Sequence, residues 1–490
     1  MNAKKIITAA LSMIVTCLIM PTDKVLDNTA FAKTEIWDGT YDTSWYDEEE
    51  TELHISTAEE LAGLSELINA GQKMWEQTIY LDNDIYLNDV SDYDNWGAKS
   101  PANKWTPISS LSGTLDGNGH TIYGMYLYES QSYANTRSEN VFTGFCRICK
   151  GEICNLNMDN TYIEVTQSGY ISVGINYSDY DVCGVGDICG YCMYGNIHNC
   201  VVSGNIDITL KPYSTSSSDY IVSSVGGIAG KNTGGIEQCA SYMNINAEIK
   251  HDFYCKGKLF VGGICGSGGN SIEQCKNAGT INCLARNSND ITFVGGICGY
   301  NSKDCYINFC YNEGDLGGST TGGIVGGNYE NLSIRYSYNV GANFSGDYLS
   351  GGVAGLQWHG VGIDNTYYLD TTAIKAIGYS DYDNGAKSAA EMQEKEFAQK
   401  LTDSFVYNEG GYPLLAWEAE LQQEPLAGDV NLNGVFDVAD IKLLQNYLVC
   451  RETLTAEQGA VADVCNDGVL NALDLCVLRR MYLEQSKTAQ

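Results

Sequence analysis

The stretch from Asp429 to Asp440 carries oxygen-bearing side chains at the spacing that suits a hard metal ion. Counted from its first residue, positions 1, 3, 5, 7, 9 and 12 hold Asp429, Asn431, Asn433, Val435, Asp437 and Asp440. Calcium takes about six to eight oxygen ligands, and a loop of this length supplies them at these positions, using a backbone carbonyl at position 7. Gly434 at position 6 permits the sharp turn. The pattern predicts a calcium-binding loop in which Asp440 replaces the usual final glutamate.

The pattern returns 34 residues later, in the stretch that begins at Asp463. Its ligand positions hold Asp463, Asp467, Val469, Asn471 and Asp474, with Gly468 as the turn residue. Position 3, however, is Cys465, a soft thiol where calcium prefers oxygen. We therefore predict two calcium sites, of which the second is weaker or completed by water.

Each loop runs into apolar residues that recur at helical spacing. These residues are Ile441, Leu444 and Leu448 after the first loop and Leu475, Leu478 and Tyr482 after the second. They predict two helices, each with one apolar face. No comparable stretch precedes either loop, so each loop and its helix are interpreted as half of an EF-hand.

This duplicated loop-helix unit, at residues 429–485, resembles a type I dockerin. The resemblance implies a small all-α domain that binds a cohesin domain of a scaffold protein in the presence of calcium, as in cellulosomes. In dockerins the two positions before the last ligand of each loop usually face the cohesin. The resemblance therefore assigns the cohesin-binding surface to Val438, Ala439, Ala472 and Leu473, reinforced by Arg479 and Arg480.

The charge balance of the 490-residue chain argues against nucleic acid as a partner. It has 28 basic and 61 acidic residues, a net charge of −33. Phosphate binding needs clustered Lys and Arg, which such a chain does not supply. The length allows two or three domains.

Residues 1–32 have the features of a secretory signal. Lys4 and Lys5 precede an apolar run from Ile6 to Met20, and Ala30-Phe31-Ala32 forms a small-x-small cleavage site. No second apolar run of membrane-spanning length follows. We predict an extracellular protein, attached to a scaffold complex or a cell surface through cohesin.

Residues 33–75 are predicted to form an N-terminal cap built on one helix. Ser56 is its expected N-cap with Glu59 reaching back to it, and Leu61, Leu64 and Ile68 form its apolar face. Short strand-like runs follow at 78–81 and 84–87, then a turn at 116–119. This order resembles the start of secreted parallel β-helix proteins.

Glycine-rich repeats dominate the middle of the chain. Gly-Gly-x-x-Gly begins at Gly226, Gly262, Gly295, Gly322 and Gly351, and a degraded copy begins at Gly186. Repeats at spacings of about 20 to 50 residues indicate a solenoid, and short β-branched runs indicate strands. We predict a mainly β chain with a right-handed parallel β-helix over 76–370. These repeats resemble the GLUG family, which is not tied to one activity.

Residues 371–418 are predicted to close the β-helix as a C-terminal cap. An amphipathic helix is expected around Phe397 and Leu401, followed by a strand over 412–417. An acidic linker at 419–428 then leads to the dockerin-like segment.

The 18 cysteines that follow the signal allow three interpretations. Cys189, Cys265 and Cys298 share one repeat position with Ala and Val, which indicates small buried side chains. Disulfides in an exported chain and a zinc site are the alternatives. The sequence does not decide between thiol and disulfide.

The sequence shows no catalytic constellation in the repeats. Acidic residues are dispersed, and none of the five histidines is paired at metal-ligand spacing. Aromatic side chains in turns suggest sugar contact, with Trp96 and Trp358 as candidates. We predict that plant polysaccharide is the partner of the β-helix; a polysaccharide lyase or glycoside hydrolase and a cell-surface adhesin remain the alternatives.

Overall fold

A computed structural model gives the coordinates of the chain. It describes residues 36–134, 142–170, 183–213, 220–250, 256–285, 287, 289–301, 304–328, 331–357, 361–378, 380, 385–421, 426–449, 451–465 and 468–488. The predicted signal at 1–32, the candidate sugar-binding residue Trp358 and the candidate ligand Asp467 lie outside these ranges.

Three parallel sheets make up most of this structure, and we call them A, B and C. Sheet A has 19 strands: Ile85–Tyr86, Thr121–Tyr123, Tyr126–Ala134, Phe142–Thr143, Asn157–Tyr170, Cys183–Gly186, Val201–Pro212, Tyr220–Gly226, Ala240–Ile249, Lys256–Gly262, Lys276–Asn277, Ile281–Ala285, Ile291–Gly295, Tyr311–Asn312, Leu316–Gly322, Tyr338–Asn339, Asn343–Gly351, Tyr367–Leu369 and Ala386–Lys387. Sheet B has ten: Glu52–Ile55, Thr78–Leu81, Thr114–Asp116, Glu152–Cys154, Asn196–His198, Gly235–Glu237, Ser271–Glu273, Cys305–Asn308, Leu332–Arg335 and Val361–Asp364. Sheet C has seven: Cys146–Cys149, Cys189–Cys192, Ala229–Asn232, Cys265–Gly268, Cys298–Asn301, Val325–Asn328 and Ala354–Gln357.

Each repeat visits the sheets in the order A, C, B and then returns to A. The first glycines of the motifs pair in register, so that Gly186, Gly226, Gly262, Gly295, Gly322 and Gly351 form one column. Glycine is required in this column because the chain turns from sheet A to sheet C against its neighbours, and a Cβ at Gly262 would lie 2.0 Å from the carbonyl oxygen of Cys265. At Gly263, the second glycine of its motif, a Cβ would lie 2.2 Å from the carbonyl oxygen of Gly296. The predicted mainly β, parallel class is thus confirmed.

The turns from sheet B back to sheet A share one unusual backbone conformation. The residue after each of the last seven strands of sheet B has a positive φ of 44° to 54°, at Asn155, Asn199, Gln238, Gln274, Phe309, Tyr336 and Asn365. Non-glycine residues seldom adopt this left-handed region, and asparagine tolerates it best. Its repetition in successive repeats shows that the corner is set by the stacking and not by one residue type.

The interior is filled by columns of aliphatic side chains and thiols. Ile197, Ile236, Ile272 and Ile307 are in register on sheet B and almost fully buried. All sixteen described cysteines are free thiols, and fourteen of them are buried, which confirms their predicted place in the core. Burial raises the pKa of thiols such as Cys239 well above its ordinary value. These thiols are therefore poor nucleophiles.

The predicted N-terminal helix is present, but its cap is shifted by one residue. The helix spans Ala58–Asn69, and the capping box joins Thr57 to Glu60 instead of Ser56 to Glu59. Its predicted apolar face is buried. A short 3-10 helix at Val90–Asn95 follows later in the chain.

The segment after the last repeat differs from its prediction in two ways. Two short helices, Ala389–Met392 and Lys395–Lys400, replace the single expected helix. The expected strand over 412–417 shortens to Leu414–Leu415, which pairs antiparallel with Phe405–Val406, and a helix at Ala416–Leu421 takes up the first residues of the predicted linker.

This C-terminal segment packs on the outer face of sheet A. Met392, Phe397 and Leu415 bury Tyr311 and Tyr338. Glu418 then forms a buried ion pair with Lys276, with 2.6 Å between Nζ and Oε1, and accepts a hydrogen bond from the hydroxyl of Tyr311. Burial alone would lower the pKa of Lys276, but Glu313, Tyr242 and Glu418 outweigh it and the pKa is raised.

Three helices follow residue 426: Val438–Leu448, Ala456–Ala462 and Ala472–Thr488. Ile441 and Leu444 of the first helix and Leu478 of the third form a common core with Val430 and Phe436. None of the helices in the described part of the chain is long and apolar enough to cross a membrane.

Candidate functional site

The first loop is folded by hydrogen bonds to its own side-chain oxygens. Asp429 accepts hydrogen bonds from the backbone N–H groups of Asn433 (3.1 Å) and Gly434 (2.6 Å). Asn431 accepts from the backbone of Asn433 at 3.1 Å, and Asn433 accepts from that of Val435 at 2.9 Å. The predicted ligands at positions 1, 3 and 5 are therefore folded into one compact loop.

The end of this loop is also the start of a helix. Asp437 caps Val438–Leu448, and its carboxylate accepts from the backbone N–H of Ala439 at 2.6 Å. Asp440 reaches back to accept from the backbones of Asn431 (3.0 Å) and Asp437 (2.8 Å). One carboxylate at position 12 thus joins both ends of the loop.

The burial of these carboxylates tests whether a cation fits. Asp429 and Asp440 are 3% and 0% exposed. In the part of the chain that the structure describes, no Lys or Arg forms an ion pair with either carboxylate. Buried carboxylates are normally paired with a cation or bound to a metal. The donor set is all oxygen, which suits calcium.

Acidic side chains alone do not complete such a site. Among the described residues, no three His, Cys, Asp or Glu side chains come together as a metal cluster. The amides of Asn431 and Asn433 and the carbonyl of Val435 would have to supply the remaining oxygens. This division of ligands is the one that the sequence predicts.

The second loop repeats this geometry. Asp463 accepts from the backbone of Gly468 at 2.7 Å. Asp474, which is fully buried, accepts from the backbones of Cys465 (3.2 Å) and Asn471 (3.0 Å). The carbonyl of Val469 accepts from the Asn471 amide at 3.0 Å. With a thiol at position 3, this loop offers one oxygen fewer than the first.

A short helix before the second loop corrects the interpretation as two half EF-hands. Ala456–Ala462 is helical and ends at Asp463, the first residue of the loop. Its signal in the sequence is the capping box between Thr455 and Gln458. The stretch is too short to show an apolar period, which is why the periodicity did not predict it.

The side chains assigned to cohesin binding lie on the surface. Val438 and Leu473 are 55% and 54% exposed, and Ala439, Ala472, Arg479 and Arg480 are also exposed. Arg479 donates to Gln445 at 3.1 Å and so links the two loop helices. The side chains of Val435 and Val469 are also exposed, although the sequence pattern assigns a role only to their backbone carbonyls.

The structure overturns one candidate for sugar contact. Trp96 is only 3% exposed and packs edge-on against Tyr93 and Tyr126, with ring centroids 5.1 and 6.1 Å away. A ring buried in this way offers no face to a ligand. The other candidate, Trp358, lies outside the described residues.

Comparison with known proteins gives one family match. Residues 427–483 match the family model of the dockerin type I domain. No curated protein sequence matches the chain. The chain is also similar to the crystal structure of a Bacteroides ovatus protein provisionally named an immunoglobulin A1 protease, with 19% identity, 75% of this chain and 92% of that chain covered and a TM-score of 0.39. By the family match, the protein carries a dockerin type I domain at residues 427–483.

Proposed function

We propose that this protein is a secreted component of a scaffold complex. Its dockerin binds a cohesin domain in a calcium-dependent way, and its repeat region engages polysaccharide. The observation that carries the proposal is the family match over 427–483, and it is supported by two loops in which the first predicted ligand accepts a hydrogen bond from the backbone of the turn glycine.

The docking surface is proposed to be the exposed residues beside the last ligand of each loop. Val438 and Leu473 are the largest of them and are each about half exposed. Each belongs to the first turn of a loop helix, so calcium in the loop would fix the direction in which that turn faces. This coupling is the physical reason for calcium-dependent docking.

The repeat region is proposed to be a right-handed parallel β-helix over 76–370, with caps at 33–75 and 371–418. Its support is the A, C, B order of strands and the in-register glycine column. Residues 1–32 would be the signal, and 419–428 would join the repeat region to a dockerin at 429–485. The GLUG-like motifs and the polysaccharide partner belong to this proposal as well.

Capture by an immobilised type I cohesin tests the docking function. The full chain should be retained in calcium and released by a chelator. A variant with Val438→Asp and Leu473→Asp should lose retention, because both charges fall in the proposed contact. Ile374→Asp, at a residue that is 92% exposed in the proposed C-terminal cap, is the matched control and should bind like wild type. Retention in chelator, or equal loss in the control, would refute the proposal.

A further inference from the structure

Five side chains form a continuous column on the outer face of sheet A. Tyr128, Glu164, Asp207, Asn246 and Asn282 occupy neighbouring strands in direct register. Nine of the ten residues that flank them in the strands are buried and the tenth, Glu129, is half-buried, so the five face outward. Parallel strands lie about 4.7–4.9 Å apart, which sets the spacing of the column.

Four residues of this column, Glu164, Asp207, Asn246 and Asn282, line a cleft of about 310 Å³, and Tyr128 continues the column beyond its lining. The cleft also contains Tyr162, Thr209, Glu248 and Leu284 from flanking columns, and Gly97 from the loop after the 3-10 helix. Gly97 has a specific role, because a Cβ there would lie 2.6 Å from the hydroxyl oxygen of Tyr162. The loop thus approaches the sheet closely and forms one wall. Ligand sites in proteins begin at about this volume.

The two central carboxylates of the column differ in their environment. Asp207 accepts hydrogen bonds from the hydroxyl of Tyr162 and from the amide of Asn246, the latter at 2.9 Å. Glu164 accepts none from the described residues, and burial together with the charge of Asp207 raises its pKa. One carboxylate is therefore fixed in place, and its neighbour has acceptor capacity to spare.

From this geometry we infer that the cleft is a binding site for an uncharged polysaccharide chain. Its acceptors outnumber its donors, so they suit the hydroxyl groups of a sugar. The exposed ring of Tyr128 at one end of the column and the side chain of Leu284 offer apolar surface to the C–H faces of sugar rings. The inference rests on the proposed function and specifies its polysaccharide class.

The same charges exclude acidic ligands. Glu164, Asp207 and Glu248 all line the cleft, and Lys250 forms an ion pair with Glu248 at 2.8 Å. A polyuronate would bring a further carboxylate close to Glu164 and Asp207, and like charges in such a setting oppose binding. The site therefore discriminates by charge between two classes of plant polymer.

The experiment measures binding of the full chain, in calcium, to soluble uncharged polymers and to polygalacturonate by affinity electrophoresis. Uncharged polymers to test are xyloglucan, glucomannan and mixed-linkage glucan. We expect at least one of them to bind and polygalacturonate not to bind. Glu164→Gln and Asp207→Asn should each weaken binding about tenfold or more, because each removes a charged acceptor. Glu237→Gln removes one exposed charge from sheet B and should have no effect.

The outcomes separate this inference from the proposed docking function. Failure of every uncharged polymer, preference for polygalacturonate, or wild-type binding by both cleft variants would overturn the inference. Cohesin capture of the same samples reads out docking and folding independently. If a carboxylate variant fails to fold, Asn282→Ala at the exposed end of the column replaces it, with the same expected loss.

Discussion

The most informative single residue in the repeat region is Asp187, which we expect to make stability depend on pH. It takes the place that the second glycine of the motif has in other repeats, such as Gly227. It is fully buried, and neither of its carboxylate oxygens has a hydrogen-bond partner of good geometry.

Burial sets the sign and size of the effect. Burial raises the pKa of Asp187 from 3.8 to about 8; the nearby hydroxyl of Thr161 lowers the pKa in part, and the charge of Asp159 raises it further. Between these values the folded chain keeps a proton that the unfolded chain releases, so stability falls as the pH rises. Over this window of about four pH units, at about 1.4 kcal/mol each, the loss amounts to about 5–6 kcal/mol.

Replacement of Asp187 by Asn should remove this pH dependence. Urea unfolding of the repeat region, followed by circular dichroism at pH 4, 6 and 8 in constant calcium, would compare the variant with wild type. We expect the difference in unfolding free energy, variant minus wild type, to increase by about 1.4 kcal/mol for each pH unit between pH 4 and 8. Asp94→Asn, which changes an exposed aspartate, should show the same dependence of unfolding free energy on pH as wild type. Parallel curves for wild type and Asp187→Asn would refute the reasoning.

Three further predictions follow from contacts in the structure. Lys276→Met should cost about 3–5 kcal/mol of unfolding free energy, because it leaves Glu418 buried without its cation. Adding Glu418→Leu should recover much of this loss. Urea unfolding measures both variants, and an unchanged stability of Lys276→Met would contradict the prediction. Gly263→Ala should cost about 1–3 kcal/mol of unfolding free energy and lower the melting temperature, because its Cβ would lie 2.2 Å from the carbonyl oxygen of Gly296. Gly362→Ala, whose nearest neighbour atom is 3.8 Å away, should not, and equal losses in the two variants would show that the clash is not the cause. Cys465→Asn should raise the calcium affinity of the second loop in a calorimetric titration, and two equally tight sites in wild type would disprove the weaker second site.

Local patterns in the sequence were sufficient to predict the mainly β, parallel class of the repeat region. The glycine motif marks a corner that recurs in each repeat, and the shared Cys, Ala and Val position marks a buried one, so both could be predicted without knowledge of the register. The two loops that begin at Asp429 and Asp463 were equally accessible, because each predicted ligand set lies within twelve residues and the loop is folded by local hydrogen bonds.

Features that depend on distant contacts could not be predicted. Trp96 is buried because its loop folds onto sheet A, which the sequence around it does not show. Lys276 and Glu418 are 142 residues apart, and only the path of the C-terminal segment brings them together. The column through Glu164 and Asp207 likewise requires the strand register, since these acids appear dispersed along the chain.

The most direct test of the account is a calcium titration of cohesin binding by the full chain, measured by isothermal titration calorimetry. We expect binding to appear as the loops fill with calcium and to disappear on chelation. Cohesin binding of equal strength with and without calcium, or a failure to bind type I cohesins in saturating calcium, would contradict it.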